Sequence, residues 1–350
     1  MAEVSIVTSV YNKAPWLEKC LRSFMAQTFK DIEIIVINNG STDNSEKIIK
    51  TIANTDSRIR VIDIEKNIGP AGAYAIGIDA VTSDYFALCD SDDYIPENYI
   101  EVLYQKITKY DADIAMCTND MVWDDGKVEI NKRPTQSEII FTETDIPKLL
   151  PQIIDHHSNR YLGYYLAETG VLWAKLYKTS FVRSNNVNYD KDVWIYCDWL
   201  FNFLLIQKLT KMVYTEDTLY HFYQSNGSVT RSTKMNWEES NRRRIAIDKF
   251  SEACSKLTID DNLRRAMNVF VYSNIQDVIS LYVSHYPDEV ALEDVNKLES
   301  DIATWQQMTM LLDTRMYGLT LKQKIKLFLI KNKINWPFII KRKLKRRRIK

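Results

Sequence analysis

Ala87-Leu88-Cys89-Asp90-Ser91-Asp92-Asp93-Tyr94 is the stretch around which the chain reads. An apolar run stops in three carboxylates within four residues, and Pro96 then opens a helix. Carboxylates crowded at a strand end repel one another unless a cation joins them. One reading is a divalent metal that also touches a phosphate-bearing ligand. The other is an Asp-rich turn that caps the following helix.

The sequence before this stretch alternates two periods. Residues 4–10 form a compact β-rich run, read as a buried parallel strand. Pro15 suits a first helical turn, and Trp16, Leu17, Cys20, Leu21, Phe24 and Met25 follow at helical spacing. A second strand spans 32–37, and Asp43 with Glu46 has capping-box spacing ahead of a second helix. A third strand covers 59–64, an Ala/Gly-rich helix 71–81, a fourth strand 85–89, a helix 96–110 and a fifth strand 113–117. Such alternation predicts a doubly wound, mostly parallel α/β sheet of Rossmann-like type. Ligands of such sheets sit beyond the C-terminal strand ends, so Thr8 to Tyr11, Asn38 to Ser41 and Asp90 to Asp93 should share one crevice. No Gly-x-Gly-x-x-Gly run, P-loop or EF-hand loop is present. A hard cation held by few carboxylates, with water and ligand phosphates completing it, is the expected occupant.

Composition narrows the class. With 45% hydrophobic and 26% charged residues the chain is ordinary for a soluble globular protein, and no apolar run reaches the roughly 20 residues of a bilayer span. No secretory signal is read at the N-terminus. Five scattered cysteines, with no Cys-x-x-Cys pair, argue for free thiols in a reducing cytoplasm. The net charge of zero hides an asymmetry: residues 321–350 carry 13 Lys or Arg and no acid, so the rest is acidic by that margin. An acidic body with a basic tail fits targeting better than nucleic-acid binding.

Ordered fragments then resemble the family 2 glycosyltransferases, whose fold is called GT-A. These are the opening Val4-Ser5-Ile6-Val7-Thr8-Ser9-Val10-Tyr11-Asn12, the segment 27–36, and Gly40-Ser41-Thr42-Asp43. Asn67-x-Gly69, Asp90-Ser91-Asp92-Asp93, Trp173-Ala174-Lys175-Leu176-Tyr177, residues 196–202, and residues 219–228 follow. The resemblance implies an inverting transferase of hexosyl or N-acetylhexosaminyl class. Its donor is a nucleotide-diphosphate sugar, UDP by default, and its acceptor a hydroxyl of a growing, lipid-linked cell-surface glycan. It implies that Thr8, Ser9 and Tyr11 line the base pocket with Asn39, that Asp90 bonds the ribose, and that Asp92 ligates Mg²⁺ or Mn²⁺. Asp93 is assigned to the turn. Asp198 matches the family's catalytic base, its alternative being a helix N-cap. The implied division is a nucleotide-sugar half over 1–117, an acceptor and catalytic half over 118–232, a helical C-terminal region over 233–320 and a basic amphipathic tail over 321–350.

Three positions depart from that pattern. Asn38-Asn39 replaces a pair of acids, Tyr74-Ala75 replaces an Arg-Asn pair, and Cys197 replaces the acid before Asp198. CDP, dTDP or another carrier therefore stays open, and two rival classes stand beside the transferase: a degenerate glycan-binding scaffold and a sugar nucleotidyltransferase. His221 is a candidate metal ligand or phosphate contact, with packing as the alternative, and Lys175 is read as covering the core edge. His156-His157 carries no metal partner at helical spacing, and Arg242-Arg243-Arg244 reads as a solvated helix face. The tail, with Trp336, Pro337, Phe338 and eight basic residues in its last ten, reads as a peripheral anchor on an anionic inner leaflet, against a disordered or RNA-attracting tail.

Overall fold

A computed structural model describes residues 2–130, 134, 136–155, 158–164, 166–224, 237–285 and 318–332. His156, His157, residues 225–228 and the tail beyond 332 lie outside these. The chain divides into two units, Met1–Ser232 and Thr233–Lys350.

In the first unit β1 (Val4–Val10), α1 (Ala14–Met25), β2 (Ile32–Asn39), α2 (Ser45–Ala53), β3 (Ile59–Ile64), α3 (Gly69–Ala80), β4 (Tyr85–Asp90) and α4 (Tyr99–Tyr110) alternate. There follow β5 (Ile114–Trp123), β6 (Val128–Ile130), β7 (Glu138–Thr142), α5 (Ile146–Ile154), β8 (Lys175–Lys178), α6 (Thr179–Ser184), α7 (Cys197–Ile206) and β9 (Lys211–Gln224). The strands join one sheet in the order β3-β2-β1-β4-β8-β5-β9-β7, with β6 on β5. β1 runs parallel to β2 and β4, and β2 to β3, as buried Val and Ile runs with short crossovers require. Ile6, Val7, Ile34, Ile35, Ala87 and Leu88 are fully buried at its centre.

Two features differ from the expected sheet. The fifth strand does not flank β4, because four-residue β8 wedges between them, antiparallel to both. Lys175-Leu176-Tyr177-Lys178 is too short to announce a strand by alternation. β5 instead pairs parallel with β9, whose register slips between the partners of Met116 and Thr118 and turns its second half toward the acidic stretch. The predicted capping box at Asp43 and Glu46 is not formed. Asp43 accepts from the backbone N–H of Ser45 at 2.9 Å and of Ala14 at 3.1 Å, serving two helix starts.

The second unit contains α8 (Trp237–Ser255), α9 (Asp261–His285) and α10 (Leu321–Lys331). Phe250 meets Phe270 edge-on at 5.3 Å. Arg243, expected on a solvated face, instead crosses from α8 to α9 and donates to Asn274 at 2.8 Å and Asp277 at 3.0 Å. No helix among the described residues is long and apolar enough to cross a membrane.

Candidate active site

The expected strand ends lie side by side at one edge of the sheet. β1 brings Thr8, Ser9 and Tyr11, and β2 brings Asn38 and Asn39. β4 brings Asp90 at the register position of Ser9. The Ser91 hydroxyl donates to the Ser9 carbonyl at 2.7 Å, tying the acidic turn to β1. Thr8 Oγ1 is buried without a hydrogen-bond partner, while Tyr11 stands 41% exposed at the mouth.

The three carboxylates have separate surroundings. Asp93 is buried and fixed to β9: the Tyr220 hydroxyl donates to it at 2.7 Å and the Tyr223 N–H at 2.8 Å. Burial, then the charges of Asp90 and Asp92, push its carboxyl well above the usual range. Asp90 accepts from the Tyr74 hydroxyl at 2.9 Å, and its own N–H donates to Tyr220 Oη at 3.1 Å. Its carboxyl is also raised, by burial and by Asp92. Asp92 forms an ion pair with Lys13 from the start of α1. Three carboxylates thus crowd one turn beside a single lysine, and the repulsion that, after burial, raises two of them is what a dication would relieve. Among the described residues no three ligating side chains surround a common point. A dication at Asp92 would therefore draw its other ligands from diphosphate oxygens and water, a donor set these residues fit.

Asn39 spends both polar ends on the loop after β3. Its amide donates to Asn67 Oδ1 and to the Gly69 carbonyl, both at 3.1 Å, and its oxygen accepts from the Ile68 N–H at 3.0 Å. Asn38 is similarly occupied by Asp63 and Ser41. These amides shape the crevice wall. Gly69 lies at φ +83°, and a Cβ there would sit 2.7 Å from the Trp194 ring, so only glycine admits this packing. Trp194, Ile68 and Tyr74 were not read from the sequence as site residues. The signals available were Asn67-x-Gly69 and the departure at Tyr74-Ala75, and neither named a partner.

Asp198 occupies the first turn of α7, beside Tyr196 in the left-handed conformation at φ 58°. The residue keeps an opening to solvent while its carboxyl is crowded by protein. That burial pushes it up to about 6, opposed by N–H groups of the helix start and by Lys175. Its charge also acts on Asp90, after burial, Asp92, Tyr74 and Lys13.

Lys175 is not at the core edge; it is fully buried. Its ammonium points to the carbonyls of Glu168, Val171 at 2.6 Å and Trp173 at 3.4 Å. Burial lowers it to about 7. From α7, the Asn202 amide lies 3.0 Å from the carbonyls of Gly170 and Val171 and 2.9 Å from that of Asp198. Lys175 and Asn202 thus fasten one loop to the turn that bears Asp198. The Nδ1 of His221 pairs with Asp120 at 2.7 Å, its backbone bridges to Tyr94, and the His221 and Tyr94 rings lie 4.6 Å apart. Trp173 stacks on Tyr220 at 4.7 Å with planes 6° apart, linking the loop to the acidic side.

Comparison with known proteins agrees with this geometry. Residues 5–166 match glycosyl transferase family 2. Glycosyltransferase GlyA of Streptococcus pneumoniae serotype 4 is 42% identical over 114 residues, 33% of this chain but 16% of GlyA's length. Glycosyltransferase GlyG of the same organism is 28% identical over 229 residues, 65% of this chain and 73% of GlyG. The crystal structure of S. aureus TarS 1-349 in complex with UDP-GlcNAc superposes with a TM-score of 0.68 at 16% identity, covering 95% of this chain and 88% of that one, a likeness of fold. The family match over residues 5–166 and these relatives make the chain similar to the family 2 glycosyltransferases, and the structural likeness is one of fold.

Proposed function

We propose that the protein transfers a hexosyl or N-acetylhexosaminyl group, with inversion, from a nucleotide-diphosphate donor to a hydroxyl of a lipid-linked cell-surface glycan. The observation that supports this reading is that the charge of Asp198, on α7, acts on Asp90 in the acidic turn after β4. Residues 1–117 hold the donor and 118–232 the acceptor. Tyr11 and Ile68, both exposed and apolar, wall the base slot, with Thr8 and Ser9 as its floor and Asn39 holding its rim through the 67–69 loop. Asp90 takes the ribose and Asp92 the Mg²⁺ or Mn²⁺ that accompanies the diphosphate. When bound, that ion supplies positive charge to the leaving group.

The chain's own chemistry centres on Asp198. Its carboxylate takes the proton of the attacking hydroxyl, and a value raised to about 6 makes it a better base than an ordinary aspartate while leaving it ionised at neutral pH. UDP is the donor nucleotide first expected, supported by the UDP-GlcNAc complex of the structural neighbour. The acceptor reading is supported by the basic segment 321–350, which suits an anionic inner membrane face where lipid-linked glycans are met in two dimensions.

A thermal-shift series with UDP, CDP, GDP and dTDP, each with Mn²⁺, tests the donor, since selective binding raises stability by mass action. Asp92→Asn is expected to abolish the ion-dependent part of that shift. Shifts equal for all four nucleotides, or absent with all, refute the donor assignment.

A further inference from the structure

Helix α10 carries two different faces. Leu327 is 1% exposed and packs inward, whereas Leu321, Ile325 and Phe328 are 74%, 51% and 57% exposed. At about 100° per residue these three fall on one stripe, with Lys322 and Lys324 on either side of it. Nothing in the transferase chemistry uses this stripe. Three large apolar side chains in a row on one helix mark a surface meant to be covered.

We infer that the Leu321–Ile325–Phe328 stripe of α10 is the part of the protein that enters the headgroup region of an anionic bilayer. The inference rests on the membrane-surface reading above for its partner and adds the element that does the inserting. Charge complementarity selects the occupant. Residues 321–350 bring 13 basic side chains and no acid, so a second copy paired stripe to stripe would set like charge against like. An anionic lipid surface attracts the same segment and offers the apolar boundary that the stripe needs. Lysines bracketing an apolar stripe can keep their ammonium groups at headgroup level while their stems lie along the acyl boundary. The helix is too short to span a membrane, so the expected pose lies in the interface plane.

The test uses the full chain, with flotation on phosphatidylglycerol-containing and pure phosphatidylcholine vesicles. Wild-type protein should float with the anionic vesicles. The triple variant L321S/I325S/F328S, with unchanged far-UV circular dichroism, should bind them at least about tenfold more weakly, since each side chain loses apolar burial. An environment-sensitive dye on F328C should shift to the blue with anionic vesicles, while the same dye on V128C, on exposed β6 of the other unit, should not. Triple-variant binding equal to wild type with an unshifted F328C dye overturns the inference, leaving the basic tail as the membrane contact. Wild-type protein that stays with the soluble fraction overturns both readings. A wild-type dimer that the triple variant converts to a monomer, with vesicle binding unchanged, makes the stripe a self-association surface and also overturns it.

Discussion

As the proposed base, Asp198 meets two demands that oppose each other. A base must be ionised, yet burial disfavours the charge and raises its carboxyl to about 6. The folded group binds its proton more tightly than the unfolded one, so its contribution to stability is fully present below the unfolded value near 4 and lost as pH rises through about 6. Asp198→Asn should therefore raise stability at pH 8 by on the order of 1–3 kcal/mol while cutting kcat by about a thousandfold or more, read by denaturant melts and initial rates. In the wild type, kcat should fall on the acid side with a midpoint near 6. Asn39 is open to an equally direct check. Asn39→Asp removes two donated bonds and sets a carboxylate against Asn67 Oδ1 and the Gly69 carbonyl. A loss of about 1–3 kcal/mol is expected, with no gain in preference for a uracil nucleotide by thermal shift.

At the scale of elements, the loop between Glu168 and Lys175 is tied to the turn that bears Asp198, the proposed base. Lys175 satisfies three of its carbonyls from below, and Asn202 holds it from α7. Lys175→Met strands those carbonyls in a buried place and removes a positive charge that favours ionised Asp198. The expected result is a loss of on the order of 3 kcal/mol and an acid limb of kcat displaced to higher pH. Ala174, just before Lys175, lies at φ 58°, a region where a Cβ is strained. Ala174→Gly should stabilise the fold by up to about 1 kcal/mol in a chemical melt. The sequence made β1, β2, β4 and the acidic turn legible, because buried parallel strands are apolar runs that end sharply in polar residues. The roles of Lys175, Trp194 and Tyr74 were hidden, since each depends on segments far apart in the chain. A lysine among aromatics reads as a rim residue until the three carbonyls around it are seen, and a tyrosine in place of a cation reads as a loss until its hydroxyl is found on Asp90.

For the whole molecule, the division at Ser232 and Thr233 assigns the candidate site to one unit of the chain and α10, which carries the apolar stripe, to the other. A chain ended at Ser232 should keep nucleotide-dependent thermal stabilisation and lose vesicle flotation, two assays that score the units independently. Within the first unit, the Tyr220 hydroxyl joins both sides of the acidic turn to β9, so that turn has little freedom of its own. The Lys13–Asp92 pair then acquires a kinetic meaning. A tethered ammonium neutralises the carboxylate before any ligand arrives, and a free ion approaching alone must evict it. In the proposed reading the diphosphate of a donor would take that ammonium and so free Asp92. Ion and donor should accordingly arrive as partners in an ordered sequence, each tightening the other, and the ion alone should hold weakly.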